Sequence, residues 1–243
     1  MRTVTVFNLS GIYEHESFYL RDKGSCFCDL KDISGTNCMC DDAALAGIKE
    51  KIEGLNVAYG LHFIDSGNYH YMSYILLSMI KESFSLVVFD HHPDMQPPMF
   101  GDILSCGGWV QKVIEDNPYV RDVHIIGADR GLIEQLSEED RKRVNFFDIS
   151  DIKENGLPRT EYPVYLSVDK DVVGRNELIT NWNQGDMRMD DLLGYIKEII
   201  SDPARRTLGV DICGECATDQ EGIDVDLAIR GNDIFNEKVI SFL

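Results

Sequence analysis

The chain has 243 residues, 44% of them hydrophobic and 27% charged, which excludes a disordered, collagen-like or disulfide-scaffold protein. At about 150 residues per domain, this length accommodates one large domain or two small ones. The net charge of −19 at pH 7 repels phosphate backbones and anionic lipid, so we expect neither nucleic acid nor a membrane surface as a partner.

The cysteine count and the distribution of apolar residues indicate in which cellular compartment the protein is expected. Seven cysteines are an odd number, and the first residues show no charged segment followed by an apolar run. The longest apolar stretches are interrupted before they reach the length of about 18 residues that a membrane span requires. We therefore expect a cytoplasmic protein without a disulfide framework.

Short β-branched and aromatic runs alternate along the chain with segments of helical periodicity. Such alternation predicts an α/β fold, a three-layer α/β/α sandwich with a mainly parallel sheet, in one domain over residues 1–243. Residues 24–40 and 174–185 are predicted to be irregular. In chain order we predict strands at 3–7 and 61–64, a helix at 71–82, a strand at 86–89, a helix at 109–115, a strand at 123–126, a helix at 132–142, strands at 144–147 and 164–168, a helix at 189–200, a strand at 207–210 and a helix at 234–242.

A predicted strand ends in a cluster of acids and imidazoles at residues 86–94, Leu-Val-Val-Phe-Asp-His-His-Pro-Asp. In an extended chain alternate side chains share a face, so Asp90, His92 and Asp94 converge while His91 points elsewhere. Two hard oxygen ligands and one imidazole nitrogen make a metal site the favoured interpretation.

A second pair of carboxylates, Asp169 and Asp171, follows the strand predicted at 164–168. An isolated Asp-x-Asp is commonly a solvated turn. Here, however, the carboxyl ends of parallel strands meet at one sheet edge, and four crowded carboxylates repel one another unless a metal neutralises them. The two segments together predict a metal site at that edge.

Three segments in this order resemble the ureohydrolase family, the arginase, agmatinase and formiminoglutamase group. Residues 67–73 (Gly-Asn-Tyr-His-Tyr-Met-Ser), 90–94 (Asp-His-His-Pro-Asp) and 167–171 (Ser-Val-Asp-Lys-Asp) are similar to its motifs G-G-D-H-S, D-A-H-x-D and S-x-D-x-D. Residues 126–130 and 208–212 are similar to two further strand ends of the family. The resemblance covers about residues 60 to 215.

The resemblance implies an arginase-like fold and a metal-dependent hydrolase that acts on C–N bonds of small linear amidines or guanidines. It implies two Mn²⁺ ions, which suit carboxylate-rich sites with one imidazole per ion, and attack on the substrate carbon by a metal-bridging hydroxide. A guanidine substrate is cationic, and a homo-oligomer is an open alternative. The implied ligands are His70 and Asp94 on one ion, His92 and Asp171 on the other, and Asp90 and Asp169 as bridges.

Two positions depart from the family pattern. The family places a proton-transferring His-Gly after D-x-H-x-D, where this chain reads Leu-Ser-Cys-Gly-Gly at 104–108. An acid that clamps the guanidinium falls on Gly214, with Glu215 next to it. The candidate catalytic residues are therefore Asp94, Cys106 and Glu215, and we expect a substrate other than plain arginine.

Two other functions stay open on the sequence. Asp-His-His-Pro after a strand also resembles a motif of the DHH phosphoesterases, manganese enzymes that cleave phosphodiesters, although residues 1–60 lack the H-x-x-x-D-x-D cluster of that family. A homologue that binds metals without catalysis is the second alternative, since the family histidine is missing.

The remaining cysteines, histidines and one tryptophan have structural interpretations beside functional ones. Small, buried thiols are common in protein cores, yet two Cys-x-Cys pairs could hold Zn²⁺ and a Cys-x-x-Cys could be a redox pair. We assign three histidines to packing or the surface, and Trp182 either to packing or to a pocket wall. The residues concerned are Cys26, Cys28, Cys38 and Cys40 for zinc, Cys213 and Cys216 for redox chemistry, and His62, His91 and His124 for packing.

Overall fold

The computed structural model describes residues 3–55, 57, 59–98 and 100–243. Its strands arise where β-branched and aromatic residues cluster, as the sequence predicts. The strands are β1 Val4–Asn8, β2 Cys26–Asp29, β3 Met39–Cys40, β4 Leu61–Phe63, β5 Phe84–Phe89, β6 Leu104–Ser105, β7 Val120–Ile126, β8 Asn145–Phe147, β9 Val164–Asp169 and β10 Thr207–Cys213.

Helices occupy most of the connections between these strands. Five short 3-10 helices accompany them, at Ile12–His15, Phe18–Arg21, Gly67–Tyr69, Cys106–Gly108 and Lys170–Val172. The α-helices are α1 Asp42–Ile52, α2 Met72–Leu77, α3 Trp109–Asp116, α4 Arg130–Gln135, α5 Glu138–Lys142, α6 Ile149–Asn155, α7 Met189–Ser201 and α8 Val225–Ile240.

Eight strands form one sheet in the order β2-β1-β4-β10-β9-β5-β7-β8. Every neighbouring pair in it is parallel, and β3 pairs with β6 in a separate antiparallel ribbon. The predicted α/β class with a parallel sheet is therefore confirmed.

Helices cover both faces of this sheet, which explains why its central strands are continuous hydrophobic runs. Every residue of β5 is buried. Leu86 and Val88 pack into one core with α1, α2 and α3, whereas Val87 and Phe89 pack into the other with α6, α7 and α8. The predicted three-layer arrangement follows from this alternation.

Several predicted boundaries are wrong. The helix predicted at 132–142 is two helices, because Leu136 has extended backbone and Ser137 begins α5 by accepting the Asp140 N–H. The helix predicted at 71–82 ends at Leu77, and the one predicted at 234–242 begins at Val225. The periodicity analysis missed α1 and α6.

The two segments predicted to be irregular have different outcomes. Residues 24–40 contain β2, an edge strand of the main sheet, and the two-residue strand β3. Both escaped prediction because edge strands are half exposed and very short strands show no periodicity. Residues 174–185 contain neither helix nor strand, as predicted.

Among the described residues, no helix combines the length and the apolar character needed to cross a bilayer.

Candidate metal centre

The register of the central strands brings two candidate ligands side by side. Phe89 of β5 lies opposite Val168 of β9, so Asp90 and Asp169 follow at the same carboxyl edge. Strand β10 lies next to β9, and β4 lies next to β10, so both deliver further side chains to this edge. The predicted location of the site at the strand ends agrees with this arrangement.

The segment after β5 folds back on itself. Asp90 Oδ1 accepts the His92 backbone N–H at 2.6 Å, and Asp94 has a left-handed backbone with φ of 49°. Asp90, His92 and Asp94 all line one pocket, while His91 lines a different opening. The three side chains converge as predicted. At Asp94, however, a turn of the backbone brings the side chain to the pocket, and not the extended chain that we expected.

A 3-10 turn after β9 orients the second pair of aspartates. Asp169 Oδ1 accepts the Asp171 backbone N–H at 2.9 Å. Asp171 in turn accepts the His91 backbone N–H at 3.0 Å and lies 2.8 Å from His92 Nδ1. The simple alternation expected for these two residues is thus replaced by hydrogen bonds that join the two motifs.

His70, after the 3-10 helix Gly67–Tyr69, faces three of the carboxylates. Its Nδ1 lies 3.1 Å from Asp94 Oδ2, 3.2 Å from Asp90 Oδ2 and 3.5 Å from Asp169 Oδ2. Its other nitrogen, Nε2, is 2.9 Å from Ser167 Oγ, a contact that fixes the ring. His70 Nδ1 and Asp90 Oδ2 are buried, and neither has a hydrogen-bond partner among the described residues.

These unpartnered atoms belong to overlapping groups of potential metal ligands. In each group the donor atoms lie within 4.8 Å of one another. An unsatisfied buried acceptor is costly, so the donor set fits a cation that would satisfy it. The groups are His70 with Asp90 and Asp94, Asp90 with His92 and Asp171, and His70 with Asp169 and Cys213.

Electrostatics favour the same conclusion. Burial, followed by the repulsion of Asp90, raises the pKa of Asp94 to about 7. Burial and then the charges of Asp169 and Asp90 raise the pKa of Asp171 well above its usual range. Burial alone would lower the pKa of His92, yet Asp171 and Asp90 raise it to about 12. Four buried carboxylates thus repel one another and attract positive charge, which metal ions would supply.

One supporting residue escaped the sequence analysis, and another was named there only as a redox candidate. Trp109, the first residue of α3, donates its Nε1–H to Asp94 Oδ2 at 2.6 Å, and its ring lies against His70 at an interplanar angle of 45° with centroids 4.8 Å apart. The thiol of Cys213, at the end of β10, donates to the Ser66 carbonyl at 3.3 Å. Cys213 follows directly on residues 208–212, a segment similar to a strand end of the family. No pattern in the sequence pointed to Trp109.

A pocket of about 180 Å³ opens over these ligands. Trp182, 39% exposed, forms part of its wall and meets His92 edge-on with ring centroids 5.9 Å apart. The pocket-wall alternative for Trp182 therefore agrees with its position. The lining residues are Cys38, Met39, Gly67, His70, Asp90, His92, Asp94, Gln96, Pro97, Ser105, Cys106, Gly107, Asp169, Asp171 and Trp182.

The structure places two of the three candidate catalytic residues in the pocket wall and the third in the core. Asp94 and Cys106 line the pocket. Glu215 does not, because its carboxylate is fully buried 2.5 Å from Lys170 Nζ. Gly214 cannot carry a clamping acid either, since a Cβ there would lie 2.4 Å from Asp169 Oδ1. Sequence adjacency to the expected clamp position was misleading for Glu215.

The cysteines form no zinc site among the described residues. Cys26 and Cys28 lie in β2 and Cys40 lies in β3, which belongs to the other sheet, so the four thiols predicted for Zn²⁺ do not converge. Cys213 and Cys216 are buried free thiols that face the carbonyls of different residues.

Two of the three histidines assigned to packing or the surface have carboxylate partners, whereas His91 Nδ1 is buried without a hydrogen-bond partner among the described residues. His62 is buried, with Nδ1 2.8 Å from Asp211 Oδ1, and Tyr165 donates to the same carboxylate at 2.7 Å. His124 Nε2 lies 2.9 Å from Asp122. These contacts agree with the packing assignment.

Comparison with known proteins adds the family to this geometry. The model of the Arginase family matches residues 10–177. The chain belongs to this family. An uncharacterized protein of Thermotoga maritima is 30% identical to it over 213 residues, which are 87% of this chain and 79% of that protein. The family match disfavours the DHH phosphoesterase alternative.

Solved structures show the same fold at low identity. Formimidoylglutamase from Bacillus subtilis aligns with a TM-score of 0.69 and 16% identity, over 100% of this chain and 87% of that one. A triple mutant of the arginase-like protein of T. brucei, bound with Mn²⁺, aligns with a TM-score of 0.63 and 18% identity, over 98% and 90% of the two chains. The fold is that of the metal-dependent amidino hydrolases.

Proposed function

We propose that this protein is a two-metal hydrolase that cleaves a C–N bond of a small linear amidine or guanidine. The observation that carries the proposal is the convergence of six candidate ligands on one pocket, with His70 Nδ1 and Asp90 Oδ2 buried and without a hydrogen bond among the described residues. Membership of the Arginase family supports the reaction class.

The two oxygens of the Asp90 carboxylate face different histidines, and this arrangement supports two metal positions. Its Oδ2 lies 3.2 Å from His70 Nδ1, and its Oδ1 lies 3.5 Å from His92 Nδ1. Asp90 would thus bridge an ion held with His70 and another held with His92. We propose His70 and Asp94 for the first ion, His92 and Asp171 for the second, and Asp90 and Asp169 as bridges.

The donor set favours Mn²⁺, because carboxylate oxygens with one imidazole per ion suit this metal. A related fold, the T. brucei triple mutant, is bound with Mn²⁺. When bound, a pair of such ions lowers the pKa of water toward neutrality and stabilises developing negative charge.

The chain's own residues would position the substrate and move protons. Asp94 lines the pocket, and Trp109 holds one of its oxygens at 2.6 Å. Since residues 104–108 contain no histidine, we assign proton transfer to the leaving nitrogen to Asp94. Glu215 has no part in this proposal, because its carboxylate is committed to Lys170.

The pocket wall favours a compact substrate without a charged tail. Apart from the six candidate ligands, the described lining residues are uncharged or are cysteines, so an amino-acid carboxylate would find no basic partner there. The pocket has a volume of about 180 Å³. Arginine itself is a poor match to this pocket.

The test combines metal analysis with a substrate panel. We expect the Mn²⁺-loaded protein to retain two ions per chain and to hydrolyse formamidine, to formamide and ammonia, or guanidine, to urea and ammonia, faster than agmatine or arginine, measured as urea, or N-formimidoylglutamate, measured as formamide. Asp90→Asn with Asp169→Asn should lose both the ions and the turnover. His15→Gln, at an exposed histidine, is the matched control and should change neither.

The outcomes separate the alternatives. Retention of fewer than one ion per chain contradicts the metal centre. Two ions without turnover of any amidine or guanidine favour a metal-binding homologue that is not an enzyme. Preferential hydrolysis of arginine would refute the argument from the pocket wall while leaving the reaction class intact.

A further inference from the structure

Two cysteines oppose each other across the small antiparallel ribbon. In the β3–β6 ladder Met39 pairs with Ser105 and Cys40 with Leu104. The same register, one step further, sets Cys38 against Cys106. The Cys106 backbone N–H donates to the Cys38 carbonyl at 2.9 Å, so a backbone hydrogen bond joins the two residues at the end of the ribbon, where Cys38 has a left-handed backbone with φ of 60°.

The spacing of opposed residues in an antiparallel ladder suits a disulfide. Hydrogen-bonded pairs have Cα atoms about 5.5 Å apart, and disulfides span Cα separations of about 4.4 to 6.8 Å. Both cysteines are free and half-buried, and both line the pocket above the candidate metal ligands. The backbone therefore sets two half-buried thiols opposite each other in the pocket wall.

We propose that Cys38 and Cys106 are a redox-active pair that closes to a disulfide in the wall of the metal pocket. The pair is a modification site distinct from the metal ligands, and its formation requires neither bound metal nor turnover.

The two thiols differ in the way that an attacking and a resolving cysteine differ. The hydrogen bond from the Cys106 thiol lowers the pKa of Cys38 to about 7. The same contact, followed by burial, raises the pKa of Cys106 well above its usual range. Since a thiolate is the nucleophile in exchange and the optimum attacking thiol has a pKa near ambient pH, Cys38 is the attacking residue at neutral pH.

The oxidant is a low-molecular-weight disulfide, and the exchange balances in two steps. The Cys38 thiolate attacks one sulfur of the oxidant, whose S–S bond breaks to release one thiolate that takes up a proton. Cys106 then loses its proton and attacks the Cys38 sulfur of the mixed disulfide, and the second small thiol leaves. Two protein thiols are oxidised, and one small disulfide is reduced to two thiols.

The four buried cysteines are poor competitors for this oxidant. Burial raises the pKa of Cys28 and of Cys216 to about 11 and that of Cys40 to about 12. Cys213 is fully buried, and its pKa is also raised. Selectivity for Cys38 follows from its exposure and its hydrogen-bonded neighbour.

The test is thiol–disulfide exchange with oxidised glutathione on the full-length protein, followed by peptide mapping without reductant. We expect one intramolecular disulfide that joins the peptides of Cys38 and Cys106, two hydrogens lighter and reversed by dithiothreitol. In Cys106→Ser we expect glutathione to stay bound to Cys38 as a mixed disulfide. In Cys38→Ser the reaction should slow at least tenfold. Cys26→Ser, at a half-buried thiol in β2, is the matched control and should behave as wild type.

The proposal is overturned if wild type yields no peptide joining Cys38 to Cys106, or if glutathione reacts first at another cysteine. If a serine variant fails to fold, the rate of iodoacetamide labelling at each cysteine of the wild type decides. Cys38 must react fastest at pH 7. A negative result would leave the hydrolase proposal untouched, since the metal analysis and the substrate panel are run under reducing conditions.

Discussion

Lys170 lies in sequence between the candidate ligands Asp169 and Asp171, yet its side chain pairs with Glu215. The Nζ to Oε1 distance is 2.5 Å, and both side chains are fully buried. Asn236 donates to the same Glu215 oxygen at 2.8 Å. We predict that Glu215→Gln destabilises the protein strongly, because it leaves the Lys170 charge in the core without its counter-ion.

The expected loss is about 3 to 5 kcal/mol, the usual cost of removing one partner of a buried pair. The gross attraction at 2.5 Å is about 7 kcal/mol with an effective dielectric constant near 20, and the cost of desolvating both charges offsets much of it. Because single domains have about 5 to 15 kcal/mol of stability, such a loss is a large fraction of the total. The double variant Lys170→Met with Glu215→Leu should recover most of it, since both charges are then gone.

The assay is urea unfolding of wild type, Lys170→Met, Glu215→Leu and the double variant, treated as a double-mutant cycle, with Glu215→Gln measured beside them. The exposed pair Lys142 and Glu138, 2.6 Å apart, provides the control. Glu138→Gln should leave the unfolding midpoint unchanged, since exposed pairs contribute little. A loss below about 1 kcal/mol for Glu215→Gln, or a coupling energy near zero, would refute the reasoning.

Three further predictions concern groups around the pocket. Burial, and then the charge of Glu215, raise the pKa of Glu16 well above 4.5, so the folded state keeps a proton that the unfolded state releases, and stability falls as pH rises from 4.5 toward the raised pKa. Glu16→Gln should therefore raise the urea midpoint at pH 8 and leave it unchanged at pH 4. Gly214→Ala, at φ of 96° with a Cβ 2.4 Å from Asp169 Oδ1, should cost at least about 1 to 2 kcal/mol and lower the bound Mn²⁺. Trp109→Phe removes the N–H that orients Asp94, which should weaken Mn²⁺ binding roughly 10 to 100-fold in equilibrium dialysis.

Each of these predictions has a contrary outcome. An equal effect of Glu16→Gln at pH 4 and pH 8 would show that a change of packing, not of charge, is responsible. Gly194→Ala, in α7 where a Cβ meets nothing within 4 Å, should be neutral or stabilising, and a similar loss there would remove the steric argument for Gly214. Unchanged Mn²⁺ affinity in Trp109→Phe would show that its indole N–H does not support the site.

Much of the parallel sheet could be predicted because fully buried strands have an unmistakable composition. All six residues of β5 are buried, and the polar residues that follow mark the strand end without any knowledge of its neighbours. Prediction was weakest where the local pattern is weak. Helix α6 has only Ile152 fully buried, and β2 alternates exposed and partly buried residues at the sheet edge.

The candidate site shows the same division. Three short motifs identified the six candidate ligands in the linear chain: His70, Asp90, His92, Asp94, Asp169 and Asp171. Because parallel strands end at the same edge of a sheet, the predicted strands also placed these ligands at one edge. Periodicity does not predict the left-handed turn at Asp94 or the 3-10 turn after Asp169. It also cannot predict the hydrogen bond that joins the two motifs, from the His91 N–H to Asp171 at 3.0 Å, because these residues are 80 positions apart in the chain.

The sequence by itself determined the fold class, the family resemblance and the chemical identity of the candidate ligands, because these depend on local composition and short spacings. Only the tertiary structure decided where Glu215 lies and which cysteines meet. The adjacent Gly214 sits against Asp169, so the chain turns the Glu215 side chain into the core toward Lys170. Cys38 and Cys106 meet through a ribbon of two-residue strands, a pairing between distant segments that no local signal records.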